Sequence, residues 1–345
     1  MSTTTDTRSS AGISHGAAAR TLGLLLAVVV LTAVCVLSVM IGAKAIPAFD
    51  VLSAIGNRGS ENHPIIWELR IPRTAVGLVA GAALGVCGAL IQAYTRNPLA
   101  DPGILGVNAG AGLAITIAIA FFGLTSAAGY VWFSFAGAAV ATMLVYLIGA
   151  SGRGQASPEK LTLAGVALAA VAGGVGQVLR LSDPLLFAST LAWSVGSIGG
   201  RSLGLLGTIA PFIVVGLVLA FVLARQLNAL ALGDELGRSL GARIGPTRIM
   251  TIVAVTLLAG GATALAGPIA FVGLMVPHAV RWFTGPDQRW IIPYSMVCAA
   301  ILLLVSDIVG RIILPSGELR VGLVTAFLGA PVLIVLARRR TASGL

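Results

Sequence analysis

Long apolar runs separated by short polar segments dominate the chain, and the first run follows a polar stretch at residues 1–20. Most runs are close to the roughly 20 residues that an α-helix needs to cross the hydrocarbon core of a bilayer. Strands of a β-barrel would instead alternate over about 10 residues, so the pattern argues against a barrel. The pattern predicts ten membrane-spanning helices, with expected ranges 21–42, 72–93, 104–123, 127–149, 161–181, 203–224, 248–266, 269–283, 291–313 and 320–337.

Proline, glycine and aspartate between the runs predict where some helices begin and end. Pro72 is expected to open the second span because proline fits a first helical turn, and Asp101 is expected to cap the third. Gly267 and Pro268 interrupt an apolar stretch, and the next piece is short and contains Pro277. A short, broken helix is tolerated at membrane depth only where protein or a water-filled cavity covers it. The break therefore indicates either a transport pathway or a packed kink.

One polar insertion, residues 226–248, is longer than the other segments on its side of the predicted bundle. Gly233 is expected to end one short helix and Asp234 to cap a second. Leu236 and Leu240 would then share one face of that second helix. Such a short amphipathic hairpin fits the groove of another protein, and a helix lying on the lipid surface is the alternative.

Composition supports the same class of protein. Hydrophobic residues make up 57% of the 345 residues and charged residues 10%, whereas soluble domains carry about 25% charged residues. The 44 glycines suit close helix packing in lipid. Gly77, Gly81 and Gly85 repeat at four-residue spacing, which favours packing within one subunit over a dimer contact. We therefore expect an all-α polytopic membrane protein.

The charges indicate membrane topology and argue against nucleic-acid binding. The net charge is +10, but the basic residues are scattered between the apolar runs and form no stripe. An even number of spans places both termini on one side, and the arginines at 338–340 indicate that this side is the cytoplasm. We therefore expect a disordered cytoplasmic tail at 1–20, a membrane domain at 21–338 and a second cytoplasmic tail at 339–345.

Motifs for nucleotide binding and metal-dependent catalysis are absent from the sequence. The chain has no GxxxxGK[ST] phosphate loop and no HExxH sequence. Its three histidines, His15, His63 and His278, are far apart, and its three cysteines lack metal-ligand spacing. We therefore expect no catalytic residue, no metal site and no directly bound cofactor.

Charged residues inside the spans are few, and each costs about 2.5–3.5 kcal/mol at a helix centre on insertion scales. Asp307 and Arg311 stand four residues apart near the outer end of the ninth span, where they are placed to pair. Alternatively, Arg311 faces outward with Arg70 and Arg73 in a basic patch that meets an acidic partner.

Five stretches of the chain carry a resemblance to a known family over about residues 20–340: RIPR at 70–73, GALIQAYTRNPLADPGILGVNAGAGLA at 88–114, LTLAGVALAAV at 161–171, GPIAFVGLMVPHAVRWFTGPDQRWIIP at 267–293 and SDIVGRIILPSGELRVGLVTAFLGAPVLIVLARR at 306–339. Together they look like the iron-chelate and vitamin B12 permeases of type II ABC importers. The segments at 41–44, 106–110 and 318–320 are most similar to the ferric enterobactin branch, and Arg320 stands where vitamin B12 permeases have proline.

The resemblance implies a BtuC-like subunit with about ten transmembrane helices in the cytoplasmic membrane of a bacterium. It implies three kinds of partner: a second permease, identical or different, two ABC ATPase subunits that use ATP, and an extracytoplasmic siderophore-binding protein. It also implies that Arg70, Arg73 and Arg311 face acidic residues of the binding protein. Coupling to the ATPases would fall to the hairpin residues Gly233, Asp234, Leu236, Leu240 and Gly241.

The expected function is that of an importer permease for a ferric siderophore of the enterobactin kind. Its pathway should hold the cargo weakly, with spans three, five, eight and ten as the expected lining and Asn108, Gln177 and Arg180 as candidate polar contacts. A packing or lipid-interface role is the alternative for each of these three side chains. A haem or cobalamin importer is the alternative within the family. An ion-coupled secondary transporter or an intramembrane enzyme would need a titratable or catalytic cluster, of which the spans offer little.

Overall fold

The computed structural model describes residues 16–42, 44–151, 158–239, 241–314 and 317–338, and in these ranges the chain is helical with no strand. A π-helical segment, Ile65–Arg70, leads directly into α3, and a 3₁₀ turn, Pro102–Leu105, precedes α4. The thirteen α-helices of the described residues are α1 (Ala17–Met40), α2 (Ala48–Gly56), α3 (Ile71–Thr95), α4 (Val107–Phe122), α5 (Ala127–Ala150), α6 (Pro158–Leu181), α7 (Pro184–Ser194), α8 (Leu203–Ala231), α9 (Asp234–Ser239), α10 (Ile244–Ala266), α11 (Val272–Thr284), α12 (Gln288–Ile312) and α13 (Val321–Arg338).

The predicted fold class, an all-α polytopic membrane protein, is confirmed, and each of the ten predicted ranges coincides with a helix. Among the described residues, seven helices are long and apolar enough to cross a membrane by themselves: α1, α3 with its π-helical start, α5, α6, α8, α10 and α12. The helices α4 and α13 are shorter but apolar. The 13 residues of α11 extend only about 20 Å, so this helix depends on neighbouring protein to cover its ends.

Three central helices, α3, α10 and α12, form the core, and small residues let them approach closely. Within their most apolar stretches, 78% of the residues of α3 and 72% of those of α10 are buried, against 11% for α1. A side chain on Gly85 would overlap the carbonyl oxygen of Ser295 in α12, and one on Gly88 would overlap the backbone of Gly273 in α11. Glycine spacing in the second span thus serves packing within the subunit, as predicted.

The peripheral helices expose apolar side chains that only lipid or another subunit can cover. On α1, Leu25 and Val29 are exposed, and on α6 Val171 and Val178 are exposed. Soluble monomers rarely expose such broad apolar surfaces. They agree with a bundle that uses the bilayer as its solvent.

The break after α10 is confirmed, and its covering is protein. α10 ends at Ala266, Phe271 adopts a left-handed backbone with φ 68°, and α11 begins at Val272. Most side chains of α11 are buried, since the helix packs beside α3 and α12. Of the two interpretations of the break, a packed kink describes this helix better than an open pathway.

Some predicted boundaries are wrong. Pro72 lies in the first turn of α3, as expected, but the span itself begins earlier, because a π-helical segment closed by the Ile71 amide on the Ile66 carbonyl makes the chain helical from Ile65. Asp101 caps the 3₁₀ turn, accepting from the Gly103 amide at 2.8 Å, and α4 begins later than expected.

The short helices α2 and α7 were not predicted. The helix α1 already includes residues 17–20 of the tail that was expected to be disordered, while residues 1–15 and 339–345 lie outside the described ranges.

Candidate functional site

One end of the bundle holds a cluster of three arginines and two acids: Arg70, Arg73, Arg311, Asp307 and Glu318. The Arg73 guanidinium donates from Nη2 to Asp307 Oδ1 at 2.8 Å and from Nη1 to Glu318 Oε2 at 2.6 Å. Asp307 also accepts from Arg311 Nε at 2.8 Å, one helical turn away on α12. The carboxylate of Asp307 therefore joins α3 to α12, and Glu318 adds the segment before α13.

The other bonds of the cluster tie down the end of α1. Arg311 Nη1 donates to the carbonyls of Ser38 and Ile41, both at 2.7 Å. Arg70 Nη1 donates to Met40 O at 2.7 Å, and Arg70 Nη2 to Lys44 O at 2.6 Å. These carbonyls lie at or after the last turn of α1, where helical carbonyls lack internal partners. The two arginines thus satisfy backbone acceptors that the end of the helix leaves open.

Burial corrects the picture of a free basic patch. Arg70 and Arg311 are only 4% and 3% exposed, and their donors are used inside the subunit. The alternative for Arg311, pairing with Asp307, is what the structure contains. Arg73 keeps partial access beside the half-exposed Glu318. Docking of a binding protein by these three side chains stays a prediction, and Arg73 is the member of the three best placed for it.

The opposite end of the bundle carries the hairpin, which is shorter than predicted. α8 continues to Ala231 and α10 begins at Ile244, so only residues 232–243 lie between them. Gly233 and Gly241 have φ of 104° and 83°, conformations that favour glycine, and they bracket α9. The predicted break at Gly233 and the short second helix are both present, but the helix that ends there is the 29-residue α8, not a short one, and Asp234 is the first residue of α9 rather than its cap.

Within the hairpin, the predicted coupling residues point in different directions. The carboxylate of Asp234 is bonded by Arg96 from the end of α3 and by Arg248 from α10. Leu236 is 53% exposed and projects from the end of the bundle. Leu240 lies outside the described residues, so the predicted pairing of its face with Leu236 has no structural description.

The candidate pathway residues are not gathered in one place. Asn108, at the start of α4, accepts a bond from Thr263 Oγ1 of α10 at 3.0 Å. Gln177 and Arg180 pair with each other near the end of α6 at 3.2 Å, as their i, i+3 spacing predicted. Of the four spans expected to line a pathway, α6 and α13 expose broad faces, whereas α11 is largely buried. Which of these spans line a pathway stays a prediction.

Sequence reasoning missed the partners that organise both ends. Glu318 and Ser38 complete the arginine cluster, and Arg96 and Arg248 hold Asp234. Each bond joins residues that lie on different helices or across a turn, so helical periodicity carries no signal for it. The one local hint is Arg96, a charged residue directly after an apolar helix.

Comparisons with known proteins show likeness along the chain. A protein-family model described as the FecCD transport family matches residues 12–339. The chain is 48% identical over 323 residues to the ferric enterobactin transport system permease protein FepD of Escherichia coli (strain K12), covering 93% of this chain and 96% of that protein. It is 39% identical to the iron(3+)-hydroxamate import system permease protein FhuB of Bacillus subtilis (strain 168), covering 88% and 79%. A solved inward-facing metal-chelate type ABC transporter shares the fold with a TM-score of 0.82 and 26% identity, covering 92% and 99%.

Proposed function

Because the chain belongs to the FecCD transport family, we propose that it is the membrane permease subunit of an ATP-driven importer that carries a ferric siderophore across the cytoplasmic membrane. The observation that carries the substrate class is the 48% identity to a ferric enterobactin permease along 93% of the chain. Relatives named for iron(3+)-hydroxamate and iron(3+)-citrate import support iron chelates as a class. Haem and cobalamin are the alternative cargoes.

The proposed mechanism is alternating access driven from outside this chain. The sequence contains no phosphate loop, so ATP is used by two separate ATPase subunits. These subunits contact the hairpin at 232–243, whose exposed Leu236 offers an apolar anchor. A second permease covers the broad exposed faces of α6 and α13, and the pathway runs between the two permeases. Both termini lie in the cytoplasm.

The residues that we place along this pathway are small and apolar, so they should bind the cargo only weakly. The exposed side of α6 carries Ala167, Ala170, Gly173 and Gly174, which offer no strong ligand. A pathway must bind a cargo weakly enough to release it. Gln177 and Arg180, near the end of the same helix, supply the few polar contacts. The chain itself makes and breaks no covalent bond.

Docking of the binding protein occurs at the arginine cluster. Arg73 already bonds Glu318, a carboxylate that is 36% exposed and belongs to a segment outside the helices. An acidic residue of the binding protein can therefore take the place of Glu318 at the same guanidinium with little change in local charge. Arg70 and Arg311 hold the surrounding frame while this exchange occurs.

The test is uptake of radiolabelled iron in a strain that lacks this permease, with and without the cloned chain. Catecholate, hydroxamate and haem-bound iron are offered separately, and labelled cobalamin serves as a further substrate. We expect restored uptake of a ferric siderophore that is lost when the partner ATPase carries a phosphate-loop substitution. Uptake of haem or cobalamin alone would replace the proposed cargo. Uptake that survives ATPase loss but stops with a protonophore would replace the ATP-driven mechanism with secondary transport.

A further inference from the structure

Asp234 begins α9, and its carboxylate is held from two sides by arginines of the core helices. Arg96 Nη2 donates to Asp234 Oδ1 at 2.5 Å. Arg248 Nη2 donates to Asp234 Oδ1 and Oδ2 at 3.0 and 2.9 Å. Arg96 follows the last residue of α3, and Arg248 lies in the second turn of α10. The carboxylate therefore bridges two helices that are far apart in the sequence.

Arg96 connects a third helix to the same point. Its Nε donates to the carbonyl of Leu230 in the last turn of α8 at 3.1 Å. Its backbone adopts φ 52°, a left-handed conformation that residues with a side chain rarely hold. Such a conformation persists only where surrounding contacts impose it. One guanidinium thus joins the ends of α3 and α8 to the start of α9.

The remaining contacts of α9 are close but confined to its own neighbours in the sequence. Gly237 lies against the carbonyl of Ala229 in α8 and the side chain of Ile244 in α10. The exposed residues of α9 include Leu236, Arg238 and Ser239. Among the described contacts, the Asp234–Arg96 bond is the one that ties the hairpin to α3, the most buried span. Arg248 ties the hairpin to α10, which contains this arginine and is nearly as buried as α3.

We propose that Asp234 is a positioning residue that transmits movement of α9 to α3 and α10, and that it does not itself contact the ATPase. This inference rests on the proposed function, because it assumes that an ATPase displaces the hairpin. The Arg96 and Asp234 side chains are 38% and 28% exposed, so the bridge acts by connecting the helices rather than by adding much stability. While it is in place α9 moves together with the core helices, and its loss lets α9 move while α3 stays in place. The exposed side of α9 remains available to the partner.

Asp234→Asn tests the bridge, because the amide keeps the size of the carboxylate but removes its charge. In the assembled importer, iron uptake per complex should fall about tenfold, a typical coupling between two sites. ATP hydrolysis and co-purification of the ATPase should be retained, and Asp234→Glu should recover part of the uptake. Arg96→Gln should reproduce the loss. Asp287→Asn is the matched control: it removes another arginine-bonded carboxylate at the same end of the bundle and should leave uptake unchanged.

Hydrogen exchange gives a second readout that needs neither cargo nor ATPase. In the purified permease, peptides covering 232–243 should exchange faster in Asp234→Asn than in the wild type, with peptides of α3 and α10 unchanged. Equal exchange in the hairpin would overturn the bridge, as would unchanged uptake. Loss of ATPase co-purification would make Asp234 a contact residue and overturn its positioning role. If the wild type carries no ferric siderophore, the proposed function fails, and the exchange comparison still decides the bridge.

Discussion

The buried carboxylate of Asp307 provides the sharpest test of how the arginine cluster holds the helices together. Asp307→Asn keeps the side-chain size and removes the negative charge that faces Arg311 and Arg73. The side chains of Asp307 and Arg311 are each 1% exposed, so water cannot replace the lost charge. Removing one partner of a buried pair costs about 3–5 kcal/mol, because the other charge is left uncompensated.

Glu318→Gln is the matched control, since it also removes a negative charge that is bonded to Arg73. The Glu318 side chain is 36% exposed, and Arg73 keeps its bonds to Asp307. Exposed ion pairs contribute about 0–1 kcal/mol. The two substitutions should therefore differ by at least about 2 kcal/mol in the free energy of unfolding. Thermal and denaturant unfolding of the purified subunit in one detergent measures the difference.

A double substitution separates pairing from packing. The variant that combines Asp307→Leu with Arg311→Met removes both charges of this buried pair. Apolar replacement of a whole buried pair is often neutral or stabilising, and Arg73 would still bond Glu318. The double variant also removes the bonds that Arg311 donates to the Ser38 and Ile41 carbonyls, so it should regain only part of the stability that Asp307→Asn loses. If Asp307→Asn unfolds no more easily than Glu318→Gln, then the buried ion pairs of the cluster do not hold α1, α3 and α12 together.

Three further predictions concern the two ends of the bundle. Arg73→Glu should weaken binding of the loaded siderophore-binding protein, measured at low salt where charge contacts are strongest; unchanged affinity would refute docking at this arginine. Leu236→Asp should reduce co-purification of the ATPase, because it places a charge on an exposed apolar anchor; full assembly would remove Leu236 from the contact. Burial alone would raise the pKa of Asp287, but hydrogen bonds from Arg289 and Asn228 hold it below its usual range. The wild type should therefore be more stable than Asp287→Asn, with the full difference present above about pH 4 and lost as the pH falls through that lowered pKa. Unfolding at a series of pH values measures this difference, and a difference that does not change with pH would contradict the role of the charge on Asp287.

The spans could be predicted because the bilayer imposes a length and an apolar character on each one. The break at Gly267 and the short helix after Gly233 were also readable, since both depend on residues with special backbone freedom. The helices α2 and α7 were missed because they are too short to span a bilayer, so the search for apolar runs of about 20 residues does not detect them. The start of the second span was misplaced because a π-helical segment extends its helix back to Ile65.

The sequence by itself determined the membrane class, the order of the spans and the place of the hairpin, because these follow from local hydropathy and turn chemistry. Only the tertiary structure decided which charges are buried and which are open. Arg73 and Asp307 are 234 positions apart, and no periodic pattern links them. Whether an arginine faces a partner protein or its own helices depends on which helices meet beside it, and that is settled by packing of the whole bundle.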